Sequence, residues 1–287
     1  MRHEARRIID AARERGIVLR LFGGLAVREH CTAADFCERD HADLDLVGLS
    51  AQVKQLAPLM ADLGYHEDAQ VRLSTAAGQR QFLRPCRHTA ADGAQAHDAD
   101  RVDVFLDTFH MDHEIGLKDR LAQGEYTIPV TDVLLTKLQV VRHNDKDVRD
   151  IITLLKDVPM AGDEERDPAP RDQAARADES EAPAGERPAA PDTGIVQPDP
   201  RVVQAAPIAA ACAEDWGLHH DVLASLELVE RLLPRYGLDA AAAARVRERI
   251  GRLRDALEAA PKSFAWRLRA KVGTRLPWYD EVEEQEG

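Results

Sequence analysis

Two aspartates stand one residue apart in "ADLDLVG" (42–48), inside a run that otherwise reads as a strand. Aspartate is depleted in strands, so the pair needs a cause. In a strand, residues i and i+2 point to one face about 6.6 Å apart, which groups Asp43 with Asp45 and sends Leu44 and Leu46 towards the core. Neighbouring carboxylates repel unless a cation lies between them. Hard oxygen ligands of this kind suit magnesium, which takes one or two carboxylates together with waters and substrate phosphates. A third carboxylate is offered by Asp103 in "RVDVFLD" (101–107), where Val102 and Val104 point inward and Asp103 outward. If the two strands are neighbours, at about 4.8 Å, three carboxylates converge. Such a set holds metal for phosphoryl transfer: the ions orient a triphosphate, neutralise developing charge and activate an acceptor oxygen.

A lone D-x-D also arises on half-exposed strands with no metal at all, so its company matters. Gly23 and Gly24 follow the predicted strand "IVLRLF" (17–22) and open a predicted helix (24–30). Without Cβ atoms, backbone N–H groups there can approach phosphate, and the helix N-terminus adds favourable charge. A tight turn is the other use of such a pair. Arg39 and His41, just ahead of the aspartates, are candidates to reach phosphate or acceptor.

These residues need elements to hold them. A helix is predicted over 3–15, strands over 17–22 and 43–48, and a helix capped by Ser50 with apolar residues at 53, 56, 59, 60 and 63. Strands over 80–85 and 101–107 pair across the polar stretch 87–100. Thr131 or Asp132 caps "VLLTKLQVV", and a last helix spans about 145–157. The expectation is an α+β domain over residues 1–160, a mixed sheet with flanking helices.

"FGGLAVREH", "RDHADLDLVG", "VDVFLD" and "DVLLTKLQVVRHNDKDVRDIITLL" together resemble the DNA polymerase beta-like nucleotidyltransferase superfamily, in its aminoglycoside-type and abortive-infection toxin-type branches, over roughly residues 15–157. The resemblance implies a nucleotidyltransferase-like fold and transfer of a nucleoside monophosphate from an NTP to a hydroxyl-bearing acceptor, a small molecule, RNA or tRNA, or protein. ATP is a candidate donor. It implies that Gly23 and Gly24 cradle the nucleotide, that Asp43, Asp45 and Asp103 bind two Mg2+ ions, and that Asp103 assists deprotonation of the acceptor. In the toxin-type branch a helical lysine and an aspartate in the next helix match Lys137 and Asp147. Many members carry Ser after the first glycine, where this chain has Gly24 and then Leu25. The rival reading is a catalytically silent copy of the fold acting as a binding module, antitoxin-like or a scaffold partner. Lys137 itself has a plain alternative as a solvated lysine on an amphipathic helix.

The remaining sequence sets the wider organisation. The net charge of −13 is concentrated in residues 161–200, which hold 11 acidic and 4 basic side chains and 7 of the 15 prolines. With only Ile195 and Val196 as large aliphatics, that stretch is expected to be a disordered linker. Beyond it, 201–287 reads as a small α-helical domain, with helices over 220–237 and 239–261 joined at Gly237. Its end, 262–279, interleaves Lys262, Arg267, Arg269, Lys271 and Arg275 with Phe264, Trp266, Trp278 and Tyr279. Such a segment can bind single-stranded RNA by stacking and phosphate contact, or the rings can fasten a terminal helix. The charged beginning of the chain has no apolar h-region, and no uncharged apolar run reaches the ~18 residues of a membrane span, so a cytoplasmic protein without a membrane partner is expected. The four cysteines are too few for a disulfide framework, and Cys31 and Cys37 with His30 and His41 match no common zinc spacing. His110, Asp112 and His113 in "FHMDHE" resemble metal ligands in type but are expected to be surface or loop residues.

Overall fold

The alternation of leucine and aspartate in residues 43–48 does build a central strand. The structure is a computed structural model that describes residues 1–31, 36, 41, 43–74, 78–84, 100–163 and 198–280. The predicted stretch 87–99, most of the predicted linker (164–197), and Arg39, Cys37 and Cys86 lie outside the described residues. Five strands, β1 (Leu19–Leu21), β2 (Asp43–Gly48), β3 (His66–Glu67), β4 (Arg80–Arg84) and β5 (Asp100–Leu106), form one sheet in the order β1-β2-β5-β4-β3. Strands β2 and β5 run parallel and every other neighbouring pair is antiparallel, so the sheet is mixed. Leu44, Leu46, Val102 and Val104 are buried, as the period of two requires. A small hairpin, β6 (Thr108–His110) and β7 (Glu114–Gly116), follows β5 directly.

Helix α1 (Arg2–Glu14) buries Ala5, Ile8, Ile9 and Ala12, an i, i+3, i+4, i+7 stripe, and packs on β1. Helix α2 (Gly23–His30) runs from the Gly-Gly turn and packs against β2. After a short 3-10 turn come α3 (Val53–Asp62) and then α4 (Ala69–Ser74). Helix α5 (Val130–Leu138) lies under α2, and α6 (Asp145–Asp157) packs on both.

Two predicted caps are corrected. Ser50 does not cap α3; its hydroxyl donates to Asp107, beyond the end of β5. Nor does Thr131 or Asp132 cap α5, which begins after Pro129. Thr131 Oγ1 accepts from the Gln204 N–H (2.9 Å), and Asp132 accepts from Arg120 (2.9 Å). Local capping chemistry lost to tertiary partners in both cases.

The later residues are helical: α7 (Ala205–Glu214), α8 (Trp216–Leu232), α9 (Ala240–Ala259) and α10 (Phe264–Val272). Asp215, Asp239 and Ser263 cap α8, α9 and α10 with side-chain bonds to backbone N–H groups. Their buried residues, among them Ile208, Val222, Leu226, Val246 and Ile250, are contiguous with those of the sheet and its helices in one cluster. Helix α9 packs on α6, and α7 and α8 pack on α5. Buried Arg249 of α9 donates to the carbonyls of Leu155 (2.8 Å) and Val158 (2.7 Å), satisfying the open end of α6. The backbone on either side of residues 164–197 meets as well: Val203 N–H donates to Pro159 O (2.8 Å) and Ala161 N–H to Val203 O (2.9 Å).

Candidate metal and nucleotide site

Strand register brings the three aspartates together. Asp45 on β2 stands directly opposite Asp103 on β5, and Asp43 opposite Arg101. Each aspartate offers a carboxylate oxygen, and these oxygens lie within 4.8 Å of one another, the one such grouping of possible metal ligands among the described residues. Asp103 is 4% exposed, whereas Asp43 and Asp45 are half-buried.

Burial disfavours the charged form of Asp45, and the charges of Asp43 and Asp103 add to it, so its carboxyl is pushed up to about 7. Burial likewise raises Asp103, against hydrogen bonds from Gln81 and Gln79 and the charge of Arg101. Three hard oxygen donors, two of them held at an electrostatic cost as anions, fit a divalent cation such as Mg2+. Asp43, Asp45 and Asp103 are the residues that would hold it.

The aspartates are positioned from several directions. Gln81 Nε2 (2.9 Å) and Gln79 Nε2 (3.2 Å) both donate to Asp103 Oδ1, which fixes that carboxylate's plane. Arg101 reaches back along β5: its Nη2 pairs with Asp43 Oδ2 and its Nε lies 3.0 Å from Asp103 Oδ2. Gly23 answers for the turn. Its φ is +69°, and a Cβ there would stand 2.3 Å from Asp45 Oδ2, so glycine is required both by backbone conformation and by the closeness of the carboxylate. Gly24 follows in the first turn of α2, half-buried.

Lys137, on α5, is 14% exposed rather than solvated, contrary to its plain reading as a surface lysine. Its Nζ lies 2.9 Å from Asp150 and 3.3 Å from Asp147, and its charge acts on Asp45. Asp147 also closes a capping box with Asn144 at the start of α6, so one carboxylate both begins the helix and holds the lysine. His41 is half-buried just ahead of β2. Arg39 lies outside the described residues.

Sequence reasoning passed over Arg101, Gln79, Gln81 and Asp150. Arg101 and Gln81 are polar strand residues and Gln79 immediately precedes β4, all three unremarkable until the pairing of β4 with β5 places them. Asp150 did carry a signal: it lies three residues after Asp147, which puts both on one side of a helix.

The other candidate ligands are engaged elsewhere. Cys31 is buried with its thiol on Val27 O, and His30 Nε2 lies 2.9 Å from Thr127 Oγ1. His113, expected on the surface, is buried: its Nε2 lies 2.8 Å from Asp221 Oδ2 of α8, a carboxylate that also receives Trp278 Nε1 at 2.9 Å. His110 does lie exposed, 2.7 Å from Asp280. In the basic C-terminal segment, Lys262 and Arg269 donate to backbone carbonyls, and the rings of Trp266 and Trp278 pack on His219, Trp216 and His220. Arg267, Lys271 and Arg275 stay exposed beside exposed Phe264, Leu268 and Leu276.

No family model matches the chain, and no curated protein matches it. Among solved structures, one that matches is described as the solution structure of the antibiotic-resistance factor ANT(2'')-Ia, at 15% identity, covering 50% of this chain and 76% of that chain with a TM-score of 0.32. At that TM-score the likeness carries no weight for fold or function. No helix among the described residues is long and apolar enough to cross a membrane.

Proposed function

We propose that the chain is a metal-dependent nucleotidyltransferase that moves a nucleoside monophosphate from an NTP to a hydroxyl-bearing acceptor. One observation carries the reading: Asp43, Asp45 and Asp103, from two adjacent parallel strands, bring carboxylate oxygens within 4.8 Å of one another beside a glycine turn at the start of a helix. Bound there, Mg2+ would neutralise triphosphate charge and polarise the reacting phosphorus.

The protein's own groups do the rest. Asp43, Asp45 and Asp103 hold the cation, with Asp103 oriented by Gln79 and Gln81. Gly23 and Gly24 present backbone N–H groups to phosphate oxygens at the N-terminus of α2. Lys137 supplies a fixed positive charge near Asp45, with Asp147 and Asp150 setting its direction. Asp103, whose carboxyl is raised by burial, takes the acceptor's hydroxyl proton. His41, half-buried just ahead of β2, is a phosphate or acceptor contact, and Arg39, two positions earlier in the sequence, is assigned the same role from its residue type alone. As for the acceptor, the packed tryptophans and the carbonyl-bound Lys262 and Arg269 make 262–279 a helix anchor more than an RNA-stacking surface.

A catalytically silent binding module is the second reading, and one observation favours it: Arg101 already pairs with two of the three carboxylates. Incubation with each labelled NTP, Mg2+ and cell RNA or small-molecule extract separates the two. Transfer of label is expected, and Asp45→Asn abolishes it while melting without metal stays unchanged or rises by a few degrees, because a repelling carboxylate has been removed. Transfer retained in Asp45→Asn, together with a melting point several degrees lower, shows a structural aspartate and sinks the proposal.

A further inference from the structure

Arg101 was not needed for the chemistry above, and its position is the least expected feature of the site. Its guanidinium bridges Asp43 Oδ2 and Asp103 Oδ2, the carboxylates that would hold a divalent ion, one from each of the paired strands. The bridge is planar-fork recognition of two carboxylates by one arginine, a geometry no lysine reproduces. Yet the side chain is 46% exposed, so little packing fastens it.

We propose that Arg101 is a placeholder for the metal: its guanidinium occupies the Asp43 and Asp103 oxygens in the metal-free protein and must leave them for a divalent ion to bind. Arg101 then acts on affinity. It relieves the mutual repulsion of the carboxylates while no ion is present, and competes with the ion that arrives. The half-exposed side chain gives way without unfolding anything around it. The inference rests on the proposed metal site, and the experiment separates failure of the one from failure of the other.

Mn2+ alone, without nucleotide, is titrated into the intact chain, and free ion is read by its paramagnetic resonance signal. Arg101→Gln is expected to bind Mn2+ about two- to fivefold tighter than the wild type, the ratio that losing a partly exposed ion-pair competitor corresponds to. Arg101→Lys, which keeps the charge but loses the fork, is expected to fall between them. Melting gives an independent reading: Arg101→Gln should melt lower than wild type without metal and gain more from Mn2+. Binding by Arg101→Gln that is equal to or weaker than wild type, in a protein that melts cooperatively, overturns the placeholder and makes Arg101 a support of the site. If the wild type binds no Mn2+, or Asp45→Asn binds it as well as wild type, the metal site itself fails and the placeholder with it.

Discussion

Gly23 shows how much can depend on a missing side chain. Its positive φ alone makes any other residue strained, and Gly16 shares that feature with a φ of +70° but has nothing within 4 Å of where a Cβ would stand. At Gly23 the same Cβ meets the Asp45 carboxylate. The two glycines therefore form a matched pair, one with backbone strain only and one with strain and collision. Gly16→Ala is expected to cost ~1 kcal/mol, the price of left-handed backbone. Gly23→Ala should lower the melting point further and abolish transfer, since either the turn or Asp45 must shift. Equal melting losses in the two variants, with activity kept in Gly23→Ala, would show that the turn tolerates a methyl group and that Asp45 is not held by it.

At the scale of elements, α1 is tied to the sheet through one carboxylate. Glu4 accepts from Arg7 Nε (3.0 Å), Arg84 Nη1 of β4 (2.7 Å) and the Tyr65 hydroxyl (2.8 Å). Burial alone would raise its pKa, but hydrogen bonds from Arg7 and Tyr65 and the charges of Arg7 and Arg84 overcome that and bring it down to about 2. A carboxyl depressed on folding contributes stability that is complete above its ordinary value of about 4.5 and is lost as pH falls towards 2. Glu4→Gln should therefore cost ~2 kcal/mol at pH 7, and the gap in melting point between it and wild type should close between pH 4.5 and 2. A gap that is constant over that range assigns the loss to packing. Glu4 was not legible in the sequence beyond its local pair with Arg7, because its other two partners come from 61 and 80 residues away. The three aspartates were legible for the opposite reason: each breaks the apolar period of a strand, an anomaly visible without partners. Helices α1, α2 and α6 were readable from their apolar stripes, and β4 and β5 from their alternation. Helix α7 and the β6–β7 hairpin were not, the one beginning just after a proline-rich stretch and the other too short to show a period. The caps of α3 and α5 were misread because Ser50 and Thr131 satisfy groups far along the chain instead of their own helices.

Over the whole molecule, the C-terminal stretch closes back on the hairpin that follows β5. Asp221 of α8 takes His113, His220 and Trp278, Asp280 N–H donates to Asp112 O (3.1 Å), and Asp112 in turn accepts from Val141 N–H (2.8 Å) just past α5. The helix bearing Lys137 is thus braced by residues from the end of the described chain. The parallel pairing of β2 with β5 bears on time as well as space. Asp43 and Arg101 are register partners 58 positions apart, and no hairpin can bring two parallel strands together. Helices α8 and α9, joined by a short connection, need only local contacts, whereas β2 and β5 must first close a long loop against its entropy. During refolding, helical signal should return first, and tight Mn2+ uptake last. Simultaneous recovery in stopped-flow measurements would show that the strands meet as early as the helices. A chain caught before that step already carries its helices, but its three aspartates are still strangers, and the proposed metal site does not yet exist in it.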